Sequence, residues 1–317
     1  MEKMNKESYT AASTFPSKLL HQKVIKDGRI IPIHIQLSLT NACNLNCKFC
    51  SCGDRDRKKK LSFEQVKYIL DVCAERGTKS ITITGGGEPL LYPELNDTIK
   101  YAYEKKIEVG LVTNGILLDK LEHHDNLIWC RISSSDDRNP AFEIIEKAIN
   151  INPKTDWALS HVVTRNPNYE IIRSLISFAN NWDFTHIRLV SDLLDLDMVP
   201  SMEKIKKQIK SFGVDDSRVI YQGRKDSTKG TKNCYISLLK PIIAPEGIFP
   251  CCGTQYAIHG QPKDMIDKLS MGSIKDLPKI LDDQKSFDGR ICDVCYYSQY
   301  NDALAKLKIK PKHLNFV

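Results

Sequence analysis

The chain has 317 residues, a formal net charge of +7 and 11 cysteines. Hydrophobic residues make up 41% and charged residues 27% of it, which is ordinary for a globular protein and excludes a disordered chain. No apolar run is long enough to span a membrane, and residues 1–28 lack the apolar core of a signal peptide, so we expect a cytoplasmic protein without a membrane partner. So many cysteines without an export signal predict metal or redox chemistry rather than disulfides.

Strand and helix patterns alternate along most of the chain, after a lead-in over residues 1–30. The predicted strands are residues 31–39, 80–84, 107–113, 127–133, 157–164 and 184–190. The predicted helices are residues 61–76, 93–106, 140–150, 169–181 and 202–212. This alternation is typical of an α/β fold with a parallel sheet. Because six units are too few for an eight-fold barrel, we expect an open, partial (β/α)6 TIM-like barrel.

The pattern changes after Gly213. Strand and helix no longer alternate, and residues 234–244 and 248–252 flank a turn at residues 245–247, as in a hairpin. We therefore place a domain boundary near Gly213, with a barrel over residues 31–213 and a second, smaller domain over residues 214–317.

A first group of cysteines follows the first predicted strand. Cys43, Cys47 and Cys50 have the spacing C-x3-C-x2-C and fall at the strand's carboxyl end, where parallel sheets place their sites. Three neighbouring thiolates suit a four-iron cluster and leave one iron open for catalysis. Zinc is the alternative, but it needs a fourth ligand that this segment does not supply.

Two motifs of the chain together resemble the radical S-adenosylmethionine (SAM) superfamily. One is the cysteine triplet, with the aromatic Phe49 before its last member, and the other is the Gly-Gly-Gly-Glu-Pro run at residues 85–89, just after the second strand. The resemblance covers residues 31–212. It implies a [4Fe-4S] cluster whose open iron binds the methionine part of SAM. Reduced by an external flavodoxin-like or ferredoxin-like donor, this cluster would cleave SAM to a 5′-deoxyadenosyl radical that abstracts hydrogen from the substrate.

The same resemblance suggests which residues bind SAM. Glycines let the backbone approach the methionine amine, an acidic side chain offsets its charge, an aromatic ring packs on adenine, and polar groups at later strand ends hold the ribose or carboxylate. Each position also has a purely structural alternative. It is a plain turn for the glycine run, core packing for the aromatic ring, a helix cap for the serines and an ion pair for the arginines. The candidates are Gly85, Gly86, Gly87, Glu88, Phe49, Ser133, Ser135 and Arg165, with His161 and Arg188 as further candidates for SAM or a substrate anion.

The second group of cysteines lies beyond the predicted boundary, at Cys234, Cys251, Cys252, Cys292 and Cys295. From spacing alone, four of them can enclose either zinc or an iron–sulfur cluster. The segment resembles the Twitch domain, a short relative of the SPASM domain, which implies one auxiliary [4Fe-4S] cluster that transfers electrons or staples the small domain.

Either member of the adjacent cysteine pair can be the ligand. The family's spacing after Gly247 favours Cys252, the preceding Pro250 favours Cys251, and we lean slightly to Cys252. Strand alternation allows only one of the pair to face a given cluster. The remaining cysteines are Cys52, Cys73 and Cys130, of which we expect the last two to be buried apolar residues.

The resemblance leads to one main functional hypothesis and three alternatives. The main hypothesis is a radical SAM oxidoreductase or isomerase acting on a small anionic molecule. The first alternative is modification of a nucleotide or of a nucleic-acid base, with the basic loop Arg55–Lys60 contacting phosphates. Peptide modification and a zinc-stabilised binding protein are less favoured, because residues 1–30 are too few for a peptide-recognition domain and zinc does not explain the glycine run.

Overall fold

A computed structural model describes residues 6–21, 23–53, 55–223, 228–256 and 268–309. A small hairpin, β1 (Ile25–Lys26) and β2 (Arg29–Ile30), precedes the central sheet. The strands of that sheet are β3 (His34–Leu37), β4 (Ser80–Ile83), β5 (Glu108–Thr113), β6 (Leu127–Ser135), β7 (Asp156–Val163), β8 (His186–Ser191), β9 (Val219–Gln222), β10 (Ile242–Ala244) and β11 (Gly247–Phe249). The helices are α1 (Ala11–His21), α2 (Phe63–Glu75), α3 (Leu95–Glu104), α4 (Phe142–Ile151), α5 (Tyr169–Asn181), α6 (Met202–Ser211), α7 (Ile236–Leu239), α8 (Leu277–Asp283) and α9 (Ser298–Leu307).

The central sheet has nine strands in the order β11-β10-β3-β4-β5-β6-β7-β8-β9. All neighbouring pairs are parallel except β10 and β11, and β9 and β11 form the two edges of this sheet. The predicted α/β fold with an open, partial TIM-like barrel is therefore confirmed. Parallel strands bring their carboxyl ends to one edge of the sheet, which places the loops after β3, β4, β5 and β6 together.

Local sequence signals explain the helices that follow these strands. Ser62 caps α2 through a capping box, in which its hydroxyl accepts from the backbone N–H of Gln65 and the Gln65 side chain accepts from the backbone N–H of Ser62. The buried residues of α2 recur every three or four positions and pack on the sheet. The predicted helix over residues 169–181 matches α5.

The structure adds to or differs from the predicted elements in three places. Within the lead-in, residues 6–21 and 23–30 form a 3-10 turn, α1 and the β1–β2 hairpin. The predicted strand over residues 234–244 begins as the short helix α7 and becomes strand only at β10. A further parallel strand, β9, lies beyond Gly213, so the sheet contains strands from both sides of the proposed domain boundary.

Two apolar clusters pack the elements of the fold together. The larger one fills the space between the sheet and the surrounding helices. The smaller one joins the two ends of the described chain, since Val24 and Ile30 of the N-terminal segment pack with Leu239 and Leu304 of the C-terminal segment. No helix in the described part of the chain is long and apolar enough to cross a membrane.

Candidate active site

A cavity of about 310 Å³ lies at the carboxyl ends of the parallel strands. The loop after β3 lines it with Cys43, Cys47 and Cys50, and the loop after β4 lines it with residues 85–88. Phe49 lies in the same wall. The two sequence motifs therefore meet at one cavity, which is what neighbouring parallel strands require of the loops that follow them.

The glycine run and the cysteine loop are locked together by backbone contact. A Cβ on Gly87 would overlap the carbonyl oxygen of Ala42, and a Cβ on Gly86 would overlap the side chain of Asn41. The backbone N–H of Glu88 also donates to Ala42 O at 2.7 Å. Glycine is thus required here so that the run can lie directly against the base of the cysteine loop.

The carboxylate of Glu88 is buried and fully engaged within the protein. It accepts from the hydroxyl of Thr113 at 2.6 Å, the backbone N–H of Asn114 at 2.8 Å and the backbone N–H of Leu90 at 3.1 Å. Burial raises the pKa of Glu88, and these hydrogen bonds oppose that shift. Glu88 therefore ties the glycine loop to the end of β5 at the edge of the cavity.

The three thiols of the first group differ in their acidity. Burial raises the pKa values of Cys43 and Cys47. A hydrogen bond from the Cys52 thiol lowers the pKa of Cys50 to about 6, with further help from Arg55 and Arg57. Cys52, one of the three remaining cysteines, thus contacts the cysteine triplet and also lines the cavity.

Arg138 is a site residue that sequence reasoning did not find. Its guanidinium donates to Asn114 O at 2.9 Å and also to the carbonyl of Ser133, which joins the ends of β5 and β6 beside the cavity. Burial lowers its pKa, while the nearby Cys47 and Glu88 oppose that shift. Ser133, a candidate SAM ligand, lines the cavity, and its hydroxyl donates to Thr113 O at 3.1 Å.

Four predicted SAM or anion ligands lie outside the residues that line this cavity, and one of them, Arg188, is described below with the concave face. Ser135 is buried at the end of β6. Arg165 forms an ion pair with Asp195 at 2.7 Å. His161 is fully buried and bonded to Asp136 at 2.8 Å.

Asp136 was not among the predicted residues, although it organises the loops beside the site. Burial raises its pKa, but hydrogen bonds from His161, Thr164 N and Asn168 N outweigh burial and leave the pKa below its usual value. Asp136 and His161 therefore form a buried structural pair that joins β6 to the loop after β7.

A row of basic side chains continues from the cavity along the face of the sheet that the helices do not cover. Arg131 alternates with the buried core residues Cys130 and Ile132, and it shares a register row with His186. Burial, Arg188 and Arg131 together lower the pKa of His186 to about 3. The positive charge on this concave face near β6 and β8 therefore comes from Arg131 and Arg188, while the ring of His186 is neutral at neutral pH.

The N-terminal segment closes the far end of this basic row. The ring of Tyr9 stacks on His186 with a centroid distance of 4.7 Å, and its carbonyl accepts a hydrogen bond from Arg188. Arg188, a predicted anion ligand, therefore lies deep on the concave face and outside the wall of the large cavity.

The second group of cysteines lines a separate cavity of about 30 Å³. Cys234, Cys251, Cys292 and Cys295 are in its wall, whereas the thiol of Cys252 lies 3.0 Å from the hydroxyl of Tyr297. The structure thus groups Cys251, not the slightly favoured Cys252, with the other three cysteines.

Backbone hydrogen bonds hold three of these four cysteines in place. Cys234 N donates to Phe287 O at 2.9 Å, Gly230 N donates to Cys292 O at 2.9 Å, and Cys295 N donates to Thr228 O at 2.6 Å. Burial raises the pKa of Cys234 to about 11 and that of Cys292 to about 12, so a metal must displace the protons of these thiols to bind.

Among the described residues, no three His, Cys, Asp or Glu side chains converge closely enough to hold one metal ion. In a zinc site the ligands lie within ~2.3 Å of the ion, whereas a four-iron cluster binds each cysteine at a different iron atom.

Comparisons with known proteins agree with this geometry. The family model described as the radical SAM superfamily matches residues 37–160. The chain is 31% identical over 170 residues to the GTP 3′,8-cyclase of Helicobacter pylori, covering 47% of this chain and 52% of that protein. It is 27% identical over 221 residues to the probable GTP 3′,8-cyclase of Archaeoglobus fulgidus, covering 63% of this chain and 73% of that protein. The chain thus spans about half the length of the first of these relatives.

The fold is shared with a solved structure. The structure of SuiB from Streptococcus suis bound to the precursor peptide SuiA aligns with a TM-score of 0.56 and 16% identity, covering 94% of this chain and 78% of that one. At this identity the likeness concerns the fold alone.

The radical SAM model thus matches residues 37–160 of the chain, and the solved structure supports the fold alone. The fold is the partial barrel expected for such an enzyme, and the family match supports SAM binding and an iron–sulfur centre. Among the curated relatives, the resemblance is to proteins named GTP 3′,8-cyclase.

Proposed function

We propose that the chain is a radical SAM enzyme whose substrate is a small phosphorylated nucleotide. The observation that carries the nucleotide assignment is the basic row on the concave face, leading inward from the large cavity, in which Arg131 and Arg188 supply the positive charge and His186 is neutral. Guanidinium groups bind phosphate with charge-assisted, bidentate hydrogen bonds. The name GTP 3′,8-cyclase given to the curated relatives supports the same substrate class.

In this proposal the large cavity holds the catalytic cluster and SAM. Cys43, Cys47 and Cys50 would hold the cluster, which, once reduced by an external flavodoxin-like or ferredoxin-like donor, would give one electron to SAM and so release methionine and a 5′-deoxyadenosyl radical. Arg138 presents a partly buried positive charge at the cavity wall for the SAM carboxylate.

Other residues support SAM binding from the same wall. The backbone of Gly85, Gly86 and Gly87 faces the methionine part, Phe49 packs on adenine, and Ser133 contacts the ribose. The role proposed for Glu88 is positional, because three protein hydrogen bonds already occupy its carboxylate.

We further propose that the C-terminal segment is a Twitch-like domain that holds a second [4Fe-4S] cluster. Its ligands in this proposal are Cys234, Cys251, Cys292 and Cys295, because these four share one cavity. Complete ligation by cysteine leaves no open iron, so this cluster transfers electrons rather than binding substrate.

Iron content tests the proposed ligands. Reconstituted wild-type protein should hold about eight iron atoms per chain, four for each cluster. Replacing Cys43, Cys47 and Cys50 with Ala should leave about four and abolish SAM cleavage. Cys251→Ala should also leave about four, while the adjacent Cys252→Ala should retain about eight. The ligand assignment changes if Cys252→Ala loses iron and Cys251→Ala does not.

Substrate class is tested by the yield of 5′-deoxyadenosine under reducing conditions. Purine and pyrimidine nucleoside mono-, di- and triphosphates should stimulate its formation, while the matching nucleosides without phosphate should not. Equal stimulation by the unphosphorylated nucleosides would remove the role of the basic row. A salt-dependent mobility shift with RNA or DNA would instead favour a nucleic-acid substrate contacted by the loop at residues 55–60.

A further inference from the structure

A third cavity, of about 70 Å³, lies between the N-terminal helix and the C-terminal segment. Its wall includes Lys18 from α1, His34 at the start of β3 and Lys240 after α7, and none of its residues lines the large cavity at the other end of the strands. We call the cavity with these three side chains the basic pocket. Its place in the fold separates it from the proposed SAM and nucleotide sites.

The basic pocket concentrates positive charge without a matching negative charge. Both lysines are partly buried, and in the described part of the chain neither forms an ion pair with an acidic side chain. Lys240 lies over the ring of Tyr297 at 5.9 Å, and the rings of Phe15 and Tyr300 also line the pocket. No described residue that lines the pocket is acidic. Two desolvated ammonium groups near each other are costly unless an anion joins them.

A third hydrogen-bonding group in the same wall lacks its partner. The Nε2 atom of His34 lies 2.8 Å from the hydroxyl of Thr82, whereas its Nδ1 atom is buried and has no hydrogen-bond partner. Buried polar atoms are rarely left unsatisfied in native proteins. Burial and the two lysines hold the pKa of His34 well below its usual value, so the ring is neutral. An anion would select the tautomer with hydrogen on Nδ1, in which Nε2 accepts from Thr82.

We propose that the basic pocket binds a small free oxyanion such as inorganic phosphate, held by the ammonium groups of Lys18 and Lys240 and by Nδ1–H of His34. The cavity volume of about 70 Å³ fits this class of ligand. A cavity needs ~10–15 Å³ to hold one water-sized group, and phosphate has five heavy atoms. A whole nucleotide is too large for it. The bound anion would join α1 to the segment that follows α7, and so connect the two ends of the chain.

Isothermal titration of the reconstituted full-length protein with inorganic phosphate, at constant ionic strength, tests the proposal. Wild type should show one saturable site per chain. Lys18→Met and Lys240→Met should each weaken binding at least about tenfold, because each removes a charge-assisted hydrogen bond. The exposed Lys207→Met on α6 makes the same charge change elsewhere and should bind as wild type does. Unchanged affinity in both pocket variants would overturn the proposal.

A proton-linkage measurement provides a second readout. Burial and the neighbouring Lys240 lower the pKa of Lys18 to about 8. A bound anion raises that pKa, so phosphate binding between pH 8 and 9 should take up protons, seen as a heat that depends on the buffer's ionisation enthalpy. The groups facing Lys18 across the pocket are His34, Lys240, Tyr297 and Tyr300. Lys18→Met should abolish the proton uptake, and uptake that persists in this variant would contradict the site.

Two further outcomes separate the proposal from its neighbours. Without phosphate, Lys18→Met should be as stable as wild type or more stable near neutral pH, because it removes a costly unpaired charge. A nucleoside monophosphate should not displace phosphate from the site. Displacement through the same lysines would overturn the assignment to a free oxyanion, while leaving the proposed nucleotide chemistry at the other end of the barrel in place.

Discussion

At the scale of single residues, the backbone contact between Gly87 and Ala42 predicts a strong effect of one added methyl group. Gly87→Ala should reduce 5′-deoxyadenosine formation at least about tenfold, because the Cβ displaces the cysteine loop from the glycine run. Gly223→Ala is the control, since its Cβ would meet Met202 at an ordinary 3.4 Å. Full activity in Gly87→Ala would show that the two loops are not coupled.

Because the carboxylate of Glu88 is buried and hydrogen-bonded, replacing it with an amide should lower the stability of the protein in addition to removing a charge. Glu88→Gln replaces one accepting oxygen with an NH2 group, which cannot accept from Asn114 N or from the Thr113 hydroxyl. The free energy of unfolding in urea should fall by about 1–3 kcal/mol. The exposed Glu104→Gln on α3 should change it by less than about 0.5 kcal/mol. Equal effects from both variants would contradict the hydrogen-bond network of the Glu88 carboxylate.

At the scale of elements, Arg138 joins the ends of β5 and β6 beside the large cavity. Arg138→Ala should raise the Kd for SAM at least about tenfold, because it removes the clamp on Asn114 O and Ser133 O together with a positive charge. Arg138→Lys keeps the charge but not the fork, so it should recover only part of the affinity. The exposed Arg173→Ala on α5 is the control, and SAM binding unaffected by Arg138→Ala would exclude Arg138 from the site.

The same scale shows why some elements could be predicted and others could not. The helix over residues 169–181 has a capping Asn168 and a clear apolar period, and its bounds follow from local sequence. The four residues of α7 are an apolar run too short to distinguish a helix from a strand by period. The strand β9 is equally short and follows a polar turn.

The candidate site residues also divide into those that could be predicted from the sequence and those that could not. The cysteine and glycine motifs each lie within a few consecutive residues, so they can be identified from the sequence alone. Arg138 and Asp136 act through partners on other strands, at Asn114 O and His161 respectively. Such contacts depend on strand order and register, for which a single sequence has no local signal.

At the scale of the whole molecule, the small apolar cluster that joins the chain's two ends predicts long-range destabilisation. Leu304 on α9 is fully buried against residues of both ends. Leu304→Ala should lower the free energy of unfolding by about 2–5 kcal/mol, and proteolysis should release the N-terminal segment sooner. Leu307→Ala on the same helix is half exposed and should have little effect. Equal stability of the two variants would show that the cluster does not hold the ends together.

The strand order has a consequence for how the protein is made. β3, which leads into the first cysteine loop, pairs with β4 on one side and with the late strand β10 on the other. A ribosome therefore releases β3 long before its second neighbour exists, and this distant pairing slows folding. Until β10 emerges, β3 is an open edge able to pair with other chains. Synthesis must pass residue 244 before the segment carrying Cys43 is enclosed on both sides, so nascent chains that stall earlier should aggregate.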